Sequence, residues 1–360
     1  MKVWSFAGLT LALMLSACSE QSTSESLSAD GVEGYSNQPS ATESRLAVVQ
    51  QRGKLICGVD GGIPGFSFVD DDGAYSGLDV EVCQALAAAL FDDPEAVEYR
   101  RLESSERFVA LAQGEVDILS RNTTWTVKRD TQLGIEFGPT IFYDGQGVMV
   151  RKDSGITEIE DFSGKRICVE TQTTTEANLA DSLQELKISA EVLFYQDTDV
   201  VYDSYQQGRC EGVTADKSQL IVSRSQFNNP DDHTLLNVTM SKEPLGPVIV
   251  DNDSAWFDVV EWVIYGLMQA EEFGITSANV DDFKDSQDAS VEIARFLGDE
   301  DTFGSDMGIS DNFMYRVISH VGNYGEIYDR NLGSESQFQL DRGLNNLWIN
   351  GGLLYSPPFR

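Results

Sequence analysis

The sequence predicts an α/β protein built as two similar lobes. Three observations lead there. Short apolar runs alternate with segments of helical periodicity from Lys54 to Gln226, and alternation with short links is the pattern of parallel sheets. The same rhythm runs once through the first third of the chain and again through the middle, although no residue-level repeat accompanies it. The chain has 360 residues, enough for two compact domains.

The elements follow in order. Lys2 precedes "VWSFAGLTLALMLSAC", an apolar run too short to cross a membrane and suited to the core of a signal peptide. It ends in "LSAC", which resembles a bacterial lipobox, so Cys18 is the expected lipidated residue of an exported protein. Residues 19–52, polar and rich in Ser and Glu at their start, read as a flexible tether. "GKLICGVD" then reads as a buried strand and "GGIPGFSFVDDDGAYSG" as turns. "LDVEVCQALAAALF" has helical spacing, with Asp79 and Glu81 in its first turn. "AVEYRRLE" alternates as a strand, "SERFVALAQG" is helical and stops at Gly114, and "EVDILS" is a strand.

The middle repeats this with three strand–helix pairs. They are "GKRICVE" with "TTTEANLADSLQELK", "AEVLFY" with "DTDVVYDSYQQG", and "CEGVTA" with "DKSQLIVSRSQ". Thr173 and Glu176 match a capping box. The final third opens with a helix over "SAWFDVVEWVIYGLMQAEEFG", whose stripe Trp256, Val259, Val260, Val263 and Leu267 reads as core. "ITSANVDDFKDSQDAS" reads as a loop or insertion, and shorter helices follow near 289–297 and 311–321.

Composition excludes several functions. With 25 Lys+Arg against 59 Asp+Glu the formal charge is −34, a surface that repels nucleic acid and anionic lipid headgroups. The only histidines, His233 and His320, have no second His or Cys at ligand spacing, so no metal or cofactor site and no Ser–His–Asp triad is expected. Setting Cys18 aside, Cys57, Cys83, Cys168 and Cys210 form an even set in an oxidising compartment. Four cysteines allow three pairings. The sequentially local one, Cys57–Cys83 with Cys168–Cys210, closes loops that stabilise by roughly 3–4 kcal/mol each in the chain-entropy view.

The stretch "DILSRNTTWTVKRDTQ" sets cations among hydroxyls in this acidic chain, just after a strand. A free amino acid needs an arginine and N–H donors for its carboxylate, and a carboxylate with neutral acceptors for its ammonium. In open α/β sheets such ligands sit at the carboxyl ends of strands. Asn122, Thr124 and Arg129 follow one strand; Thr173 and Thr174 follow a second and Asp216 a third. If the lobes face each other, Arg129 and Thr174 hold the carboxylate, and Asp216 with Thr124 holds the ammonium. The competing assignments are a surface ion pair for Arg129 and a helix N-cap for Asp216. Thr126 is assigned to the turn, and Arg121 and Lys128 to surface charge.

Together "RGKLICGVDGGIPGFSF", "RNTTWTVKRD", "TTTEANLAD", "YDSYQQGRCEGVTADKSQL", "SKEPLGPV", "VGNYGEIYDRN" and "RGLNNLWINGGLLYSPPFR" carry a resemblance over residues 52–360. The chain resembles the periplasmic solute-binding proteins of polar amino acid ABC transporters, and among them the general L-amino-acid-binding subgroup. The resemblance implies a type II periplasmic-binding-protein fold with lobes at 53–148 plus 247–360 and at 149–246, joined by a two-stranded hinge near "GVMVRKD" and "KEPLGPV". It implies an importer component that binds free amino acids and docks on a membrane permease as a monomer. It also implies local pairing of the cysteines and the ligand roles given above to Asn122, Thr124, Arg129, Thr174 and Asp216. Many relatives place an aromatic lid where this chain reads "GGIPGF", so Ile63 leaves a roomier pocket, with Trp125 as wall or core. The alternative is an exported dehydratase-like enzyme on the same fold, with Glu170 as its acid/base; otherwise Glu170 reads as a solvated or hinge-side residue.

Overall fold

Each half of the alternating pattern folds into its own five-stranded sheet. A computed structural model of the protein describes residues 44–284, 286 and 290–360. The signal peptide, Cys18 and the tether as far as residue 43 lie outside the described residues. The first sheet runs in the order Val97–Arg101, Leu55–Val59, Ile118–Leu119, Val248–Val250, Ile135–Phe137. The second runs Glu191–Tyr195, Arg166–Glu170, Gly212–Asp216, Gln146–Arg151, His233–Leu235. In both, the first three strands are parallel and the fourth is antiparallel to its neighbours.

The fourth strand is where each sheet departs from simple alternation. Val248–Val250 and Gln146–Arg151 each follow a strand of a separate antiparallel pair, Phe142–Asp144 with Glu243–Leu245. This pair is the hinge: the chain leaves the first sheet through Phe142–Asp144 and returns through Glu243–Leu245. The first crossing therefore precedes "GVMVRKD". Asn345 braces it, since its side chain accepts from Tyr143 N at 2.6 Å and donates to Tyr143 O at 3.1 Å.

Local sequence explains the helices that support the sheets. Leu78–Phe91 starts where Gly77, at φ 125°, passes so close to Phe66 that a Cβ would sit 2.2 Å from its carbonyl oxygen. Only glycine takes that conformation at no steric cost. Cys57–Cys83 ties this helix to Leu55–Val59, and Cys168–Cys210 ties Arg166–Glu170 to the turn before Gly212–Asp216. The long helix Ser254–Phe273 buries Trp256, Val259, Val260, Val263 and Leu267, the expected stripe. Burying each such side chain is worth about 1.5–3 kcal/mol.

Two expectations need correction. Residues 44–52 are not tether: Arg45–Arg52 is a helix, capped by Ser44 and ended by left-handed Gly53. Its Leu46 and Val49 are buried, and Arg45 and Arg52 pair with the buried Asp117. The stretch read as a loop contains the helix Val280–Lys284, held by buried Val280. Phe303–Asp306 and Tyr324–Asn331 are further helices that periodicity did not single out.

Candidate functional site

The parallel strands of both sheets point their carboxyl ends at one cavity between the lobes. Asp60 follows Leu55–Val59, and Ser104 follows Val97–Arg101. Arg121, Asn122 and Thr124 follow Ile118–Leu119. From the second lobe come Glu170, Thr173, Thr174 and Asp216, with Gln219 on the helix Lys217–Arg224. The enclosed space is about 30 Å³, so a ligand of amino-acid size is admitted only when the lobes part.

The stretch after Ile118–Leu119 is sewn to the hinge. Trp125 N donates to Pro244 O at 2.9 Å, and Gly246 N donates to Thr123 O at 3.1 Å. Asn122 adopts φ 30°, a left-handed conformation that asparagine tolerates better than most side chains. Its N–H donates to the buried Asp79 at 3.0 Å. Burial pushes the Asp79 carboxyl up to about 7, against the pull of that N–H and of Arg121. Thr126 caps the helix Val127–Gln132 by accepting from Arg129 N.

Arg129 is buried, and its Nη1 donates to Thr124 O at 2.8 Å. It does not line the narrowed cavity; it stands behind Thr124, over the Phe108 ring. Burial lowers its guanidinium to about 10, while Glu243 and Asp216 pull the other way. Asp216, opposite, ends its strand at 6% exposure and makes no cap bond to the helix it precedes. Burial, with Asp144 and Glu243 nearby, drives its carboxyl well up, and Arg129 and Arg107 oppose this. Asp216 is thus no N-cap and Arg129 no surface ion pair.

The three threonines divide their work. Thr173 Oγ1 accepts from Glu176 N at 3.0 Å and caps the helix Thr174–Glu185. The capping box is half-formed, because Glu176 reaches Gln172 N and the Thr171 hydroxyl instead. Thr174 donates to Glu243 of the hinge at 3.0 Å and meets the Thr124 hydroxyl across the cleft at 3.3 Å. Thr175 is buried, and its carbonyl accepts from Gln146. Further bridges between the lobes join Asn122 to Gln219 at 3.4 Å and Arg101 to Asp199 at 2.9 Å.

Of the residues read from sequence, Asn122, Thr124, Thr173, Thr174 and Asp216 meet at this cavity, with Arg129 one layer behind. Several others were misplaced or missed. Arg121 is no surface charge: at 2% exposure it donates to Leu102 O, Ser104 Oγ and, at 2.6 Å, Asp60. Glu170 is neither solvated nor at the hinge: it lines the cavity, and burial raises its carboxyl against the pull of Arg121. Arg107, Asp60 and Ser104 were missed. Their common signal is a place at or soon after a strand's carboxyl end. Trp125 is neither wall nor core: it is 43% exposed and stacks on Phe137. Ile63 does line the cavity, and Lys128 is exposed.

Comparison with known proteins places this geometry. The family model for bacterial extracellular solute-binding proteins, family 3, matches residues 55–289. The chain is 46% identical over 322 residues to the general L-amino acid-binding periplasmic protein AapJ of Rhizobium johnstonii, covering 89% of this chain and 94% of that protein. It is 44% identical over 320 residues to the glutamate/glutamine/aspartate/asparagine-binding protein BztA of Rhodobacter capsulatus, covering 89% and 94%. A solved structure of an ABC transporter/periplasmic binding protein from Brucella ovis with glutathione bound superposes with a TM-score of 0.86 at 43% identity, covering 89% of this chain and all of that one. The chain belongs to the bacterial extracellular solute-binding proteins, family 3, and has their two-lobed type II periplasmic-binding-protein fold.

Proposed function

We propose that this protein is the extracytoplasmic binding component of an ABC importer, capturing free L-amino acids of several kinds between its lobes. One observation carries the reading above the others. A buried arginine on one lobe and a buried aspartate on the other, neither committed to a strong ion pair, flank one cavity closed by a two-stranded hinge. An α-amino acid supplies the complementary carboxylate and ammonium. In this reading Arg129, Thr174 and the backbone around Asn122 hold the carboxylate, and Asp216 with Thr124 holds the ammonium.

The same reading divides the chain into a discontinuous first lobe, with the inserted second lobe between the two crossings. Ligand favours the closed arrangement, which a membrane permease then engages. The protein acts as a monomer, without catalysis, and Cys18 anchors it to the envelope by a lipid. The names of AapJ and BztA support amino acids as ligands. The glutathione in the Brucella ovis protein supports a cleft that also takes a γ-glutamyl peptide. A thermal-shift screen against the twenty amino acids and glutathione tests the reading. A ligand stabilises in proportion to the logarithm of its concentration over its dissociation constant. Stabilisation by many amino acids is expected; stabilisation by none refutes it.

A further inference from the structure

Two buried polar atoms in the cleft are left without partners by the contacts described above. Arg107 is 3% exposed and lines the cavity from the first lobe, and its Nε has no hydrogen-bond partner. Its Nη1 reaches Thr123 Oγ1 only at 3.5 Å. Glu170 lines the cavity from the second lobe, and its Oε1 is likewise without a hydrogen bond. Its Oε2 is occupied by the Thr198 hydroxyl at 3.1 Å. Arg121 stands 3.8 Å from Oε1, beyond hydrogen-bond length. The Arg121 fork is already filled by Leu102 O, Ser104 and Asp60.

A buried charged group left unpaired is costly, and the defect is removed by any ligand that completes it. The two orphans have opposite sense, one a donor and one an acceptor. Neither Arg129 nor Asp216 is among them, so both remain for the ligand's α-groups. A primary carboxamide matches the pair, with its carbonyl for Arg107 and its N–H for Glu170. A carboxylate satisfies Arg107 but is repelled by ionised Glu170, and an alkyl chain satisfies neither.

We propose that Arg107 and Glu170 read the ligand's side chain and make carboxamide amino acids, glutamine and asparagine, the tightest-bound of those the cleft accepts. The inference rests on the amino-acid reading of the cleft. A site built to hydrogen-bond a substrate group discriminates strongly against analogues that lack it.

The test is calorimetry on the mature protein with glutamine, glutamate and norvaline, an apolar analogue with a side chain of intermediate length. The wild type is expected to bind glutamine at least tenfold more tightly than norvaline. In Arg107→Met the glutamine-to-norvaline affinity ratio falls at least tenfold. In Glu170→Gln, which keeps an acceptor and adds a donor, the glutamate-to-glutamine ratio rises at least tenfold. Ratios unmoved in a variant that folds overturn the proposal, as does a wild type that binds norvaline as tightly as glutamine. Should Arg107→Met not fold, Glu170→Gln decides alone. A wild type that binds no amino acid overturns the functional reading itself, an outcome distinct from binding with unmoved ratios.

Discussion

Replacing Arg129 with methionine separates the energy held in the site from the energy of the fold. In the ligand-free protein, burial brings the guanidinium from its ordinary arginine value down to about 10. That fall corresponds to about 3 kcal/mol against the charged form. The sign follows from the depressed value. Below about pH 10 the folded state must hold a charge it disfavours, so the penalty is fully present at neutral pH. Against it stands the bond from Nη1 to Thr124 O, of a charged type worth about 1.5–3 kcal/mol. The two nearly cancel, and methionine still packs on Phe108. Arg129→Met should therefore unfold in urea within about 2 kcal/mol of the wild type. Binding should behave differently, because removing one partner of a buried charge pair costs about 2–5 kcal/mol. That is a loss of about thirtyfold to several thousandfold in affinity by calorimetry. Affinity within threefold of wild type would show that the carboxylate is held elsewhere. A loss of more than about 4 kcal/mol in the free protein would show that Arg129 serves the fold.

Three further outcomes follow from the same structure. Burial raises the Asp79 carboxyl to about 7, so its contribution is fully present below the ordinary aspartate value and is lost as pH rises through 7. Urea unfolding across pH should show Asp79→Asn gaining on wild type by up to about 4 kcal/mol between about pH 4 and pH 8; parallel profiles would contradict this. Deleting residues up to Arg52 strips the buried Asp117 of both its arginines, and should destabilise by about 3–5 kcal/mol in the same assay; an unchanged midpoint would show the helix to be dispensable. Cys168→Ser with Cys210→Ser opens a loop spanning 42 residues and should lose about 4 kcal/mol, with near-identical unfolding of the two forms the contrary result.

What could be read from the sequence, and what could not, follows from the range of each signal. Strand–helix alternation is local, so the two parallel sheets were legible. The stripe on Ser254–Phe273 was legible because helical spacing repeats over its whole length. The site was legible where residue type and strand end coincide, as at Asn122, Thr124 and Asp216. Arg121 was not, because its burial depends on Asp60, Leu102 and Ser104 from two other strand ends. Arg107 and Glu170 were missed for the same reason, since each faces a cavity that exists only once the lobes meet. The Arg45–Arg52 helix is a different failure. Its cap residue Ser44, buried Leu46 and Val49 and terminal Gly53 give a short helical signature, which the polar composition upstream concealed.

The central claim is that the cleft binds an amino acid and returns it unaltered. Titration calorimetry of the wild type with glutamine, followed by mass spectrometry of the ligand recovered from the cell, tests it most directly. The account predicts saturable binding at one site per chain, with all the glutamine recovered intact. No heat of binding, or conversion of the ligand at catalytic rates, would contradict it.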